Sequence, residues 1–422
     1  MSILQGRGDS VSSPPQVQSS CQPLTFLLAA STISGLGDGI ASSAFPLLAS
    51  LITQDPRAVA AIFGLQNVPW LLSLPLGAWA DRCSARGVMI GADMFRAAAL
   101  LILIVALWAG ERSIVALGVT VLLIGIGDVL FYAGSMTLIP ALAPATELAA
   151  TNGRLVALRS ASEDFGGSAL GGWMFSRAVS LPLVGDLLSF VSSALVLKRV
   201  PKVPPAAQAT NSDRPTLRQD VVEAFRFFRE DVTLRSLAWY LGILAFSQAI
   251  VLSVLVLYAT QQLGLGAGGF GLYLGGGAVG STCGALAASW IWQHGRTAHV
   301  LLLAGQLAAC SFAVSALVSS PWVASFALFA QSVAVALASV ITTTYRQRFV
   351  PARMLGRVNN LFRSILFGVA PFGALLAGLL VSAYGIPTTF AVAAGISLFA
   401  VVVMGPQLWR VLPATGRELG VV

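Results

Sequence analysis

Six carboxyl groups lie inside long apolar segments of this sequence and are its first candidates for chemistry: Asp38, Asp93, Asp128, Glu163, Asp164 and Asp186. A charge at the centre of a bilayer costs about 3 kcal/mol or more, so a charged residue in a membrane segment is a functional candidate by default. A carboxyl group that takes up and releases a proton there supplies the chemistry that proton-coupled transport needs.

Two of these carboxyl groups have an arginine at helical spacing. Asp93 lies three residues before Arg96, and Glu163 lies four residues after Arg159. Residues at either spacing share one face of a helix, so each pair is predicted to form an ion pair. An ion pair of this kind can serve to hold the structure together instead of taking part in transport.

Asp38 and Asp128 lie near the middle of their segments and have no Lys or Arg close to them in the sequence. We therefore predict proton coupling first at Asp38 and Asp128 and next at Glu163 and Asp164. The alternative for Asp38 and Asp128 is a carboxyl group hydrogen-bonded to an adjacent helix. Asp186 is predicted near the outer end of its segment, partly in contact with water. Three glycines beside Asp38 would let a partner or water approach closely: Gly35, Gly37 and Gly39.

The second half of the chain has the opposite charge character. No Asp or Glu occurs between Asp231 and Glu418, yet Arg363 lies in an apolar segment there. The sequence leaves three alternatives for its side chain: it extends to the cytoplasmic surface, it contacts the first half of the chain, or it binds an anionic ligand.

The composition requires that these residues be held by membrane helices. Of 422 residues, 56% are hydrophobic and 10% are charged, against about 25% charged in a soluble domain. The mean hydropathy is +0.82. These values exclude a soluble enzyme, a disordered protein and a nucleic-acid-binding protein. The four cysteines and two histidines show no metal-ligand or disulfide spacing. No GxxxxGK[ST] motif occurs, which excludes an ATP-driven pump within this polypeptide, and no cofactor is predicted.

Twelve segments are long enough to cross a hydrocarbon core of about 30 Å as helices. They span residues 24–52, 58–80, 87–109, 113–139, 154–176, 179–197, 236–262, 267–292, 298–318, 322–345, 357–381 and 386–409. Basic residues crowd the connections on one side, whereas the other side has only Arg57, Arg112 and Arg177. The positive-inside rule therefore places both termini in the cytoplasm. The net charge of +8 is spread over separate short loops, which argues against nucleic-acid binding.

The two halves of the chain repeat. At an offset of 207 residues, Gly64 matches Gly271 and Gly171 matches Gly378. We predict an all-α integral membrane protein with twelve transmembrane helices in two pseudo-symmetric six-helix bundles, an arrangement found in transporters. The bundles are predicted at 23–198 and 235–410. A tail is predicted at 1–22, a cytoplasmic linker with an amphipathic helix at 199–234, and a second tail at 411–422.

Glycine-rich stretches in two of the segments are predicted to be packing and sliding surfaces between helices. The stretch in the fifth segment contains Gly166, Gly167, Gly171 and Gly172, and the stretch in the eighth contains Gly276, Gly280 and Gly284.

The connection after the second segment, residues 77–86, reads GAWADRCSAR. It resembles the signature loop of the major facilitator superfamily, with Ser84 in place of the usual turn glycine and Ala85 in place of a basic residue. The resemblance implies a gating role for Gly77, Asp81, Arg82 and Arg86. Asp81 would latch the two halves against the start of the eleventh segment.

Three further motifs resemble one branch of this superfamily, that of macrolide-efflux and enterobactin-exporter-like proteins. They are residues 93–96 (DMFR), 185–190 (GDLLSF) and 356–360 (GRVNN). The first of them adds Asp93 and Arg96 to the residues with an implied gating role.

Polar and aromatic residues in the apolar segments predict a binding site for an amphiphilic small molecule: Asn67, Trp70, Gln248, Gln331 and Arg363. We predict a secondary transporter of a bacterial inner membrane that exports a drug-like or secondary-metabolite molecule in exchange for protons, by alternating access. We expect it to be a monomer in the lipid bilayer. The alternatives are a siderophore exporter of the enterobactin type and a non-transporting membrane sensor or scaffold.

Overall fold

The computed structural model describes residues 22–80, 82–143, 151, 154–155, 158–202, 226–294, 297–350 and 352–412. Helices and their connections make up this part of the chain, and no strand occurs in it. The predicted N-terminal tail up to residue 21, linker residues 203–225 and the C-terminal tail after residue 412 lie outside the described residues. The end of the predicted amphipathic helix is described: residues 226–230 are helical, and Phe228 packs against Phe362 with 9% exposure.

In the first half the helices are α1 (Gln22–Ile52), α2 (Pro56–Asn67), α3 (Ser73–Ala80), α4 (Ala85–Trp108), α5 (Ile114–Leu142), α6 (Ser168–Arg177) and α7 (Leu181–Leu197). In the second half they are α8 (Val232–Leu257), α9 (Ala267–His294), α10 (Thr297–Leu317), α11 (Pro321–Phe349), α12 (Ala352–Gly368) and α13 (Ala370–Val411). The structure is thus all-helical, as predicted. Seven helical stretches in the described ranges are long and apolar enough to cross a membrane. The count of twelve spans stays a prediction.

Several predicted segments are interrupted helices. A 3₁₀ turn, Val68–Leu72, separates α2 from α3. A π-helical segment, Ser160–Gly167, precedes α6, and another, Tyr258–Gln262, extends α8. Helix α13 bends at Gly385, where φ is 81° and ψ is 173°, a conformation that favours glycine. This bend lies between the two last predicted segments, which end at 381 and begin at 386.

Capping side chains explain where several helices begin. Asp55 accepts a hydrogen bond from the backbone N–H of Arg57 at 2.9 Å at the start of α2. Asp231 accepts two from the first turn of α8, at 2.8 and 2.9 Å. Each cap satisfies backbone donors that the helix itself leaves without a partner.

Two helix pairs make the most extensive contacts between the predicted halves. Helix α2 packs on α13, where a Cβ on Gly64 would lie 3.2 Å from that of Ala374. Helix α6 packs on α9, where Gly172 and Gly271 approach so closely that a Cβ on either would overlap the other backbone. The sequence repeat relates α2 to α9 and α6 to α13, so the two contacts are equivalent under it.

Part of this interface lies at the ends of the helices that the charge distribution places outside. Arg57 donates a hydrogen bond from Nε to Ser382 Oγ at 3.0 Å. A Cβ on Gly378 would lie 2.8 Å from the Cα of the same arginine. The halves are therefore in close contact on this side.

Most of the predicted glycine surfaces pack within one half. Four glycines fit against helix backbone in their own half: Gly167 and Gly171 against α1, and Gly280 and Gly284 against α11. Gly172 is the member of the set that contacts the other half. The packing role predicted for Gly276 is wrong, because no atom of the described residues lies within 4 Å of a Cβ built there.

Candidate functional site

Arg96 of α4 is buried in the first half, with 1% of its side chain exposed, and binds carboxylates from three helices. Its Nη1 donates to Asp128 Oδ1 of α5 at 2.6 Å and to Asp38 Oδ1 of α1 at 3.3 Å. Its Nη2 donates to Asp93 Oδ1 on its own helix and to Ser34 Oγ at 3.0 Å. One guanidinium thus connects α1, α4 and α5.

Aromatic rings and a glycine hold this guanidinium in place. The Arg96 Cζ lies 4.1 Å from the centre of the Phe190 ring and 5.0 Å from that of Phe131. Gly127, the neighbour of Asp128, has no side chain where the Cγ and Cδ of Arg96 pass, and a Cβ there would overlap them. The position of the charge is therefore set by packing as well as by ion pairing.

Asp38 and Asp128 have no Lys or Arg close to them in the sequence, but the fold supplies a cationic partner for both. Both pair with Arg96, which is 58 and 32 residues away in the sequence. Sequence proximity missed this partner because it comes from another helix. The alternative, a carboxyl group hydrogen-bonded to an adjacent helix, describes what the structure contains. The predicted pair of Asp93 with Arg96 is present, as one part of this larger network.

A second arginine extends the network towards the more exposed side. Arg159 donates from Nε to Glu163 Oε2 at 2.6 Å, which confirms the predicted pair. Its Nη2 lies 3.8 Å from Asp38 Oδ2, so Asp38 lies between Arg96 and Arg159. The side chains of Arg159 and Glu163 are 37% and 33% exposed. The side chain of Asp164 is not among those that the structure describes.

The glycines around Asp38 allow neighbouring segments to approach α1 closely, as predicted. A Cβ on Gly39 would overlap the backbone of Glu163, and one on Gly35 would lie 3.2 Å from Ser162 Oγ. A Cβ on Gly37 would overlap the side chains of Asp186 and Ser189 on α7. Since α1 is contacted on both sides, Asp38 is held between the π-helical segment and α7.

Asp186 is fully buried, so the prediction that it is partly in contact with water is wrong. Gly37 lets α1 cover it. Ser189 Oγ donates to Asp186 Oδ1 at 3.4 Å, and within the described part of the chain Oδ2 has no hydrogen-bond partner.

We call these seven residues the acidic cluster: Asp38, Asp93, Asp128, Glu163, Asp186, Arg96 and Arg159. It contains five carboxyl groups and two guanidinium groups. If every group were ionised, the cluster would carry a net charge of −3. Excess charge of one sign in a low-dielectric setting is costly.

Arg363 of α12 reaches the first half of the chain, which was one of its three predicted surroundings. Its Cζ lies 3.8 Å from the ring centre of Tyr132 and 4.7 Å from that of Trp70. Phe367 of its own helix lies 5.2 Å away and stacks on Trp70 at 5.0 Å. We call this group the arginine–aromatic cluster.

Arg346 is buried although it follows directly after the predicted tenth segment, which ends at residue 345. It lies in the last turn of α11 with 8% exposure. Its Nε donates to Asn359 Oδ1 at 2.9 Å and its Nη2 to Thr343 Oγ1 at 3.1 Å. Its Cζ lies 4.4 Å from the ring centre of Phe362. The missed signal is the length of α11, which continues past its predicted end at 345.

The structure brings together only two of the five predicted substrate contacts, Trp70 and Arg363. The Asn67 side chain donates to the carbonyl of Phe63 on its own helix at 2.9 Å. Gln331 is buried and Gln248 is half-buried, and among the described residues neither has a hydrogen bond to the arginine–aromatic cluster.

The signature loop is described in part. Asp81 lies outside the described residues, Arg82 is exposed and Arg86 is half-buried. Ser84 accepts a hydrogen bond from the backbone N–H of Gly87 at 3.1 Å and caps α4. A cap of this type explains how serine serves where the superfamily usually has a turn glycine. A Cβ on Gly77 would have no neighbour within 4 Å among the residues that the structure describes.

Comparison with known proteins agrees with this architecture. Residues 20–416 match the family MFS_3, described as transmembrane secretion effector. The chain belongs to this family. It is therefore a multi-pass membrane transporter of the major facilitator type, and its family and fold are those of transporters rather than enzymes.

One relative is an uncharacterized MFS-type transporter, y4rN, of Sinorhizobium fredii. The two chains are 24% identical over 372 residues, which cover 85% of this chain and 88% of the relative.

Among solved structures, the nucleoside transporter NupG has a TM-score of 0.72 and 14% identity, with coverage of 92% of this chain and 99% of NupG. A bacterial homologue of the iron transporter ferroportin in an inward-facing state has a TM-score of 0.68 and 19% identity, with coverage of 93% and 99%. At these identities the similarity shows the fold alone.

Proposed function

We propose that this protein exports a drug-like or secondary-metabolite molecule in exchange for protons, by alternating access, across a bacterial inner membrane with both termini in the cytoplasm. The observation that carries the proposal is the sharing of one buried guanidinium, that of Arg96, among carboxylates of three helices. The description of the family as a secretion effector supports the outward direction. The resemblance to the macrolide-efflux branch supports the substrate class.

The acidic cluster offers a way for a proton to change how helices are held together. Asp38 lies between Arg96 of α4 and Arg159 beside the π-helical segment. A proton on Asp38 removes its negative charge and so weakens the connection between α1 and both arginines. The excess of carboxyl groups over guanidinium groups favours binding of protons by the cluster as a whole.

Exposure distinguishes the members that exchange protons from those that hold the cluster together. The side chains of Asp38 and Asp128 are 14% and 17% exposed. Asp93 and Asp186 are fully buried. We therefore assign proton exchange to Asp38 and Asp128, while Asp93 positions Arg96 and Asp186 stays buried between α7 and α1.

The test starts from a substrate found by a susceptibility and accumulation screen of expressing cells, with and without a protonophore. In proteoliposomes, that substrate should cause proton release, and Asp38→Asn and Asp128→Asn should abolish uptake driven by a pH gradient. Downhill exchange of substrate needs no net proton movement and should persist in both variants. Glu111→Gln is the matched control, because Glu111 is an exposed carboxylate outside the cluster.

Undiminished proton release from a variant with Asp38, Asp128, Glu163 and Asp164 all neutralised would overturn the proposed coupling. If the protein transports no compound of the panel, the non-transporting sensor or scaffold becomes the better hypothesis. The siderophore alternative predicts that a catecholate siderophore, rather than a drug-like compound, is the panel member that causes proton release.

A further inference from the structure

We propose that Arg346 and Arg363 together bind the anionic group of an amphiphilic substrate, a carboxylate or a phosphate, while Trp70 and its neighbouring rings contact the apolar part. This inference rests on the proposed function, since it names the substrate class of the same transporter. Two guanidinium groups, one from α11 and one from α12, lie along the same face of α12.

Asn359 and Arg363 are four residues apart on α12, so their side chains share a face with about 5–6 Å between Cβ atoms. Arg346 donates to the side chain of Asn359. Its guanidinium therefore lies on the same face of α12 as the side chain of Arg363. Two like charges on the same helix face are unfavourable unless a negative group compensates them.

The chain offers these arginines no carboxylate partner in their own half, because no Asp or Glu occurs between Asp231 and Glu418. The ion pair of Glu163, a carboxylate of the first half, is with Arg159 within the described residues. The aromatic rings around Arg363 stabilise a cation without neutralising it. An anion is thus the missing counter-charge.

Each arginine also has a buried nitrogen donor that lacks an acceptor among the described residues. Arg346 Nη1 and Arg363 Nε are buried and have no hydrogen-bond partner in the part of the chain that the structure describes. Buried donors without acceptors are costly, more so when they are charged. A carboxylate or phosphate accepts several N–H bonds from guanidinium groups in a fork-like geometry.

The rings indicate what else the ligand contains. Trp70 of the 3₁₀ turn and Phe367 of α12 stack on each other, and they come from different predicted halves of the transporter. An anion at the two arginines with an aromatic or aliphatic body against Trp70 would contact both halves. A ligand that contacts both halves can bind differently in each conformation, as alternating access requires.

The experiment measures direct binding of 1-naphthoate and of the neutral isostere 1-naphthamide to the purified protein by calorimetry, within a panel of aromatic carboxylates paired with their amides. Naphthoate should bind more tightly than naphthamide, and added salt should weaken only naphthoate. Arg346→Gln and Arg363→Gln should each lower its affinity about tenfold or more, a loss of about 1.4 kcal/mol. Affinity for the amide should not change.

Two variants keep the result interpretable. Arg177→Gln removes an arginine whose Cζ lies 5.1 Å from the ring centre of Trp173, outside the proposed site, and should leave binding unchanged. Arg363→Lys retains the charge without the fork and should give an intermediate affinity. Equal binding of every carboxylate and its amide, or wild-type naphthoate affinity in both glutamine variants, would overturn the proposal.

A lipid headgroup has the same anionic chemistry, and a separate arm distinguishes it. Competition of naphthoate by phosphatidylglycerol vesicles, but not by phosphatidylcholine vesicles, would assign the site to lipid and overturn the substrate assignment. Binding needs no proton gradient, so this inference and the proposed function can fail separately. Loss of proton coupling with intact naphthoate binding contradicts the function alone, and the reverse contradicts only the anion site.

Discussion

At the residue scale, the acidic cluster shows how one guanidinium can hold several helices. The partners of Arg96 come from α1 and α5 as well as from its own helix, α4. The pair within one helix, Asp93 with Arg96, needs only the local spacing. The contacts to Asp38 and Asp128 form only when α1 and α5 pack against α4. The packing of these three helices therefore depends on the charge of Arg96.

We expect Arg96→Gln to destabilise the protein strongly. Removing one member of a buried ion pair leaves charges without a partner and costs about 3–5 kcal/mol. The midpoint of thermal unfolding in detergent should fall well below that of Arg177→Gln, which removes an arginine at an exposed position next to Trp173. Adding Asp128→Asn to Arg96→Gln should restore part of the loss, because it removes one of the unpartnered charges. Equal midpoints for Arg96→Gln and Arg177→Gln would contradict this account.

The sequence predicts ion pairs within a helix and misses those between helices. Glu163 and Arg159 pair as their spacing indicates, whereas the partner of Asp38 is 58 residues away. Spacing along the chain specifies which residues share a helical face, but which faces meet depends on how helices pack. The burial of Asp186 under Gly37 escaped prediction for the same reason.

At the scale of the elements, glycines decide which helices can touch. Gly39 admits the π-helical segment that carries Glu163, and Gly172 admits α9. The sequence identified these stretches as packing surfaces, because small residues at helical spacing allow close approach. The sequence could not tell which of these glycines pack within one half and which pack between the halves, since glycine serves in both kinds of contact. The 3₁₀ and π-helical interruptions were likewise not apparent from the hydropathy pattern.

We expect Gly172→Ala to disturb the contact between α6 and α9. Its Cβ would lie 2.6 Å from Ala267 O and from Gly271 Cα, so backbone must move. Overpacking of this kind costs about 1–3 kcal/mol. The midpoint of thermal unfolding in detergent and the export rate of the screened substrate should both fall. Gly395→Ala is the control, because no atom in the described part of the chain lies within 4 Å of its Cβ and the substitution gains the same helix propensity. Matching results for the two variants would contradict the close contact.

At the scale of the whole molecule, the two halves share a repeat but not a charge pattern. At the offset of 207 residues, the positions equivalent to Asp38, Arg96 and Asp128 are Ala245, Leu303 and Val335. The positions equivalent to Arg346 and Arg363 are Ile139 and Val156. The acidic cluster therefore belongs to one half and the arginine pair to the other. This division separates proton exchange from the proposed anion site within one symmetric framework.

We expect the membrane topology to follow the distribution of basic residues. In a variant that lacks the natural cysteines, single cysteines near Arg57, Arg112 and Arg177 should react with an impermeant reagent added outside the cell. Cysteines at Arg86, Lys202 and Arg353 should react only after the membrane is permeabilised, because short loops rich in Lys and Arg stay in the cytoplasm. Reaction from outside at position 353 would contradict the count of twelve spans.

The contact between the halves gives a direct test of alternating access. Ser73 of α3 and Ser364 of α12 are hydrogen-bonded through their hydroxyl oxygens at 2.8 Å, and they belong to different predicted halves. In the cysteine-free variant, Ser73→Cys with Ser364→Cys should form a disulfide under mild oxidation, since cysteine places its sulfur where serine places its oxygen. This cross-link ties α3 to α12, and rocking of the halves requires these helices to separate. Export of the screened substrate should therefore stop on oxidation and return on reduction, whereas each single cysteine variant should be insensitive to the oxidant. Full export by the cross-linked protein would mean that these two helices move together, and that the access change takes place elsewhere in the bundle.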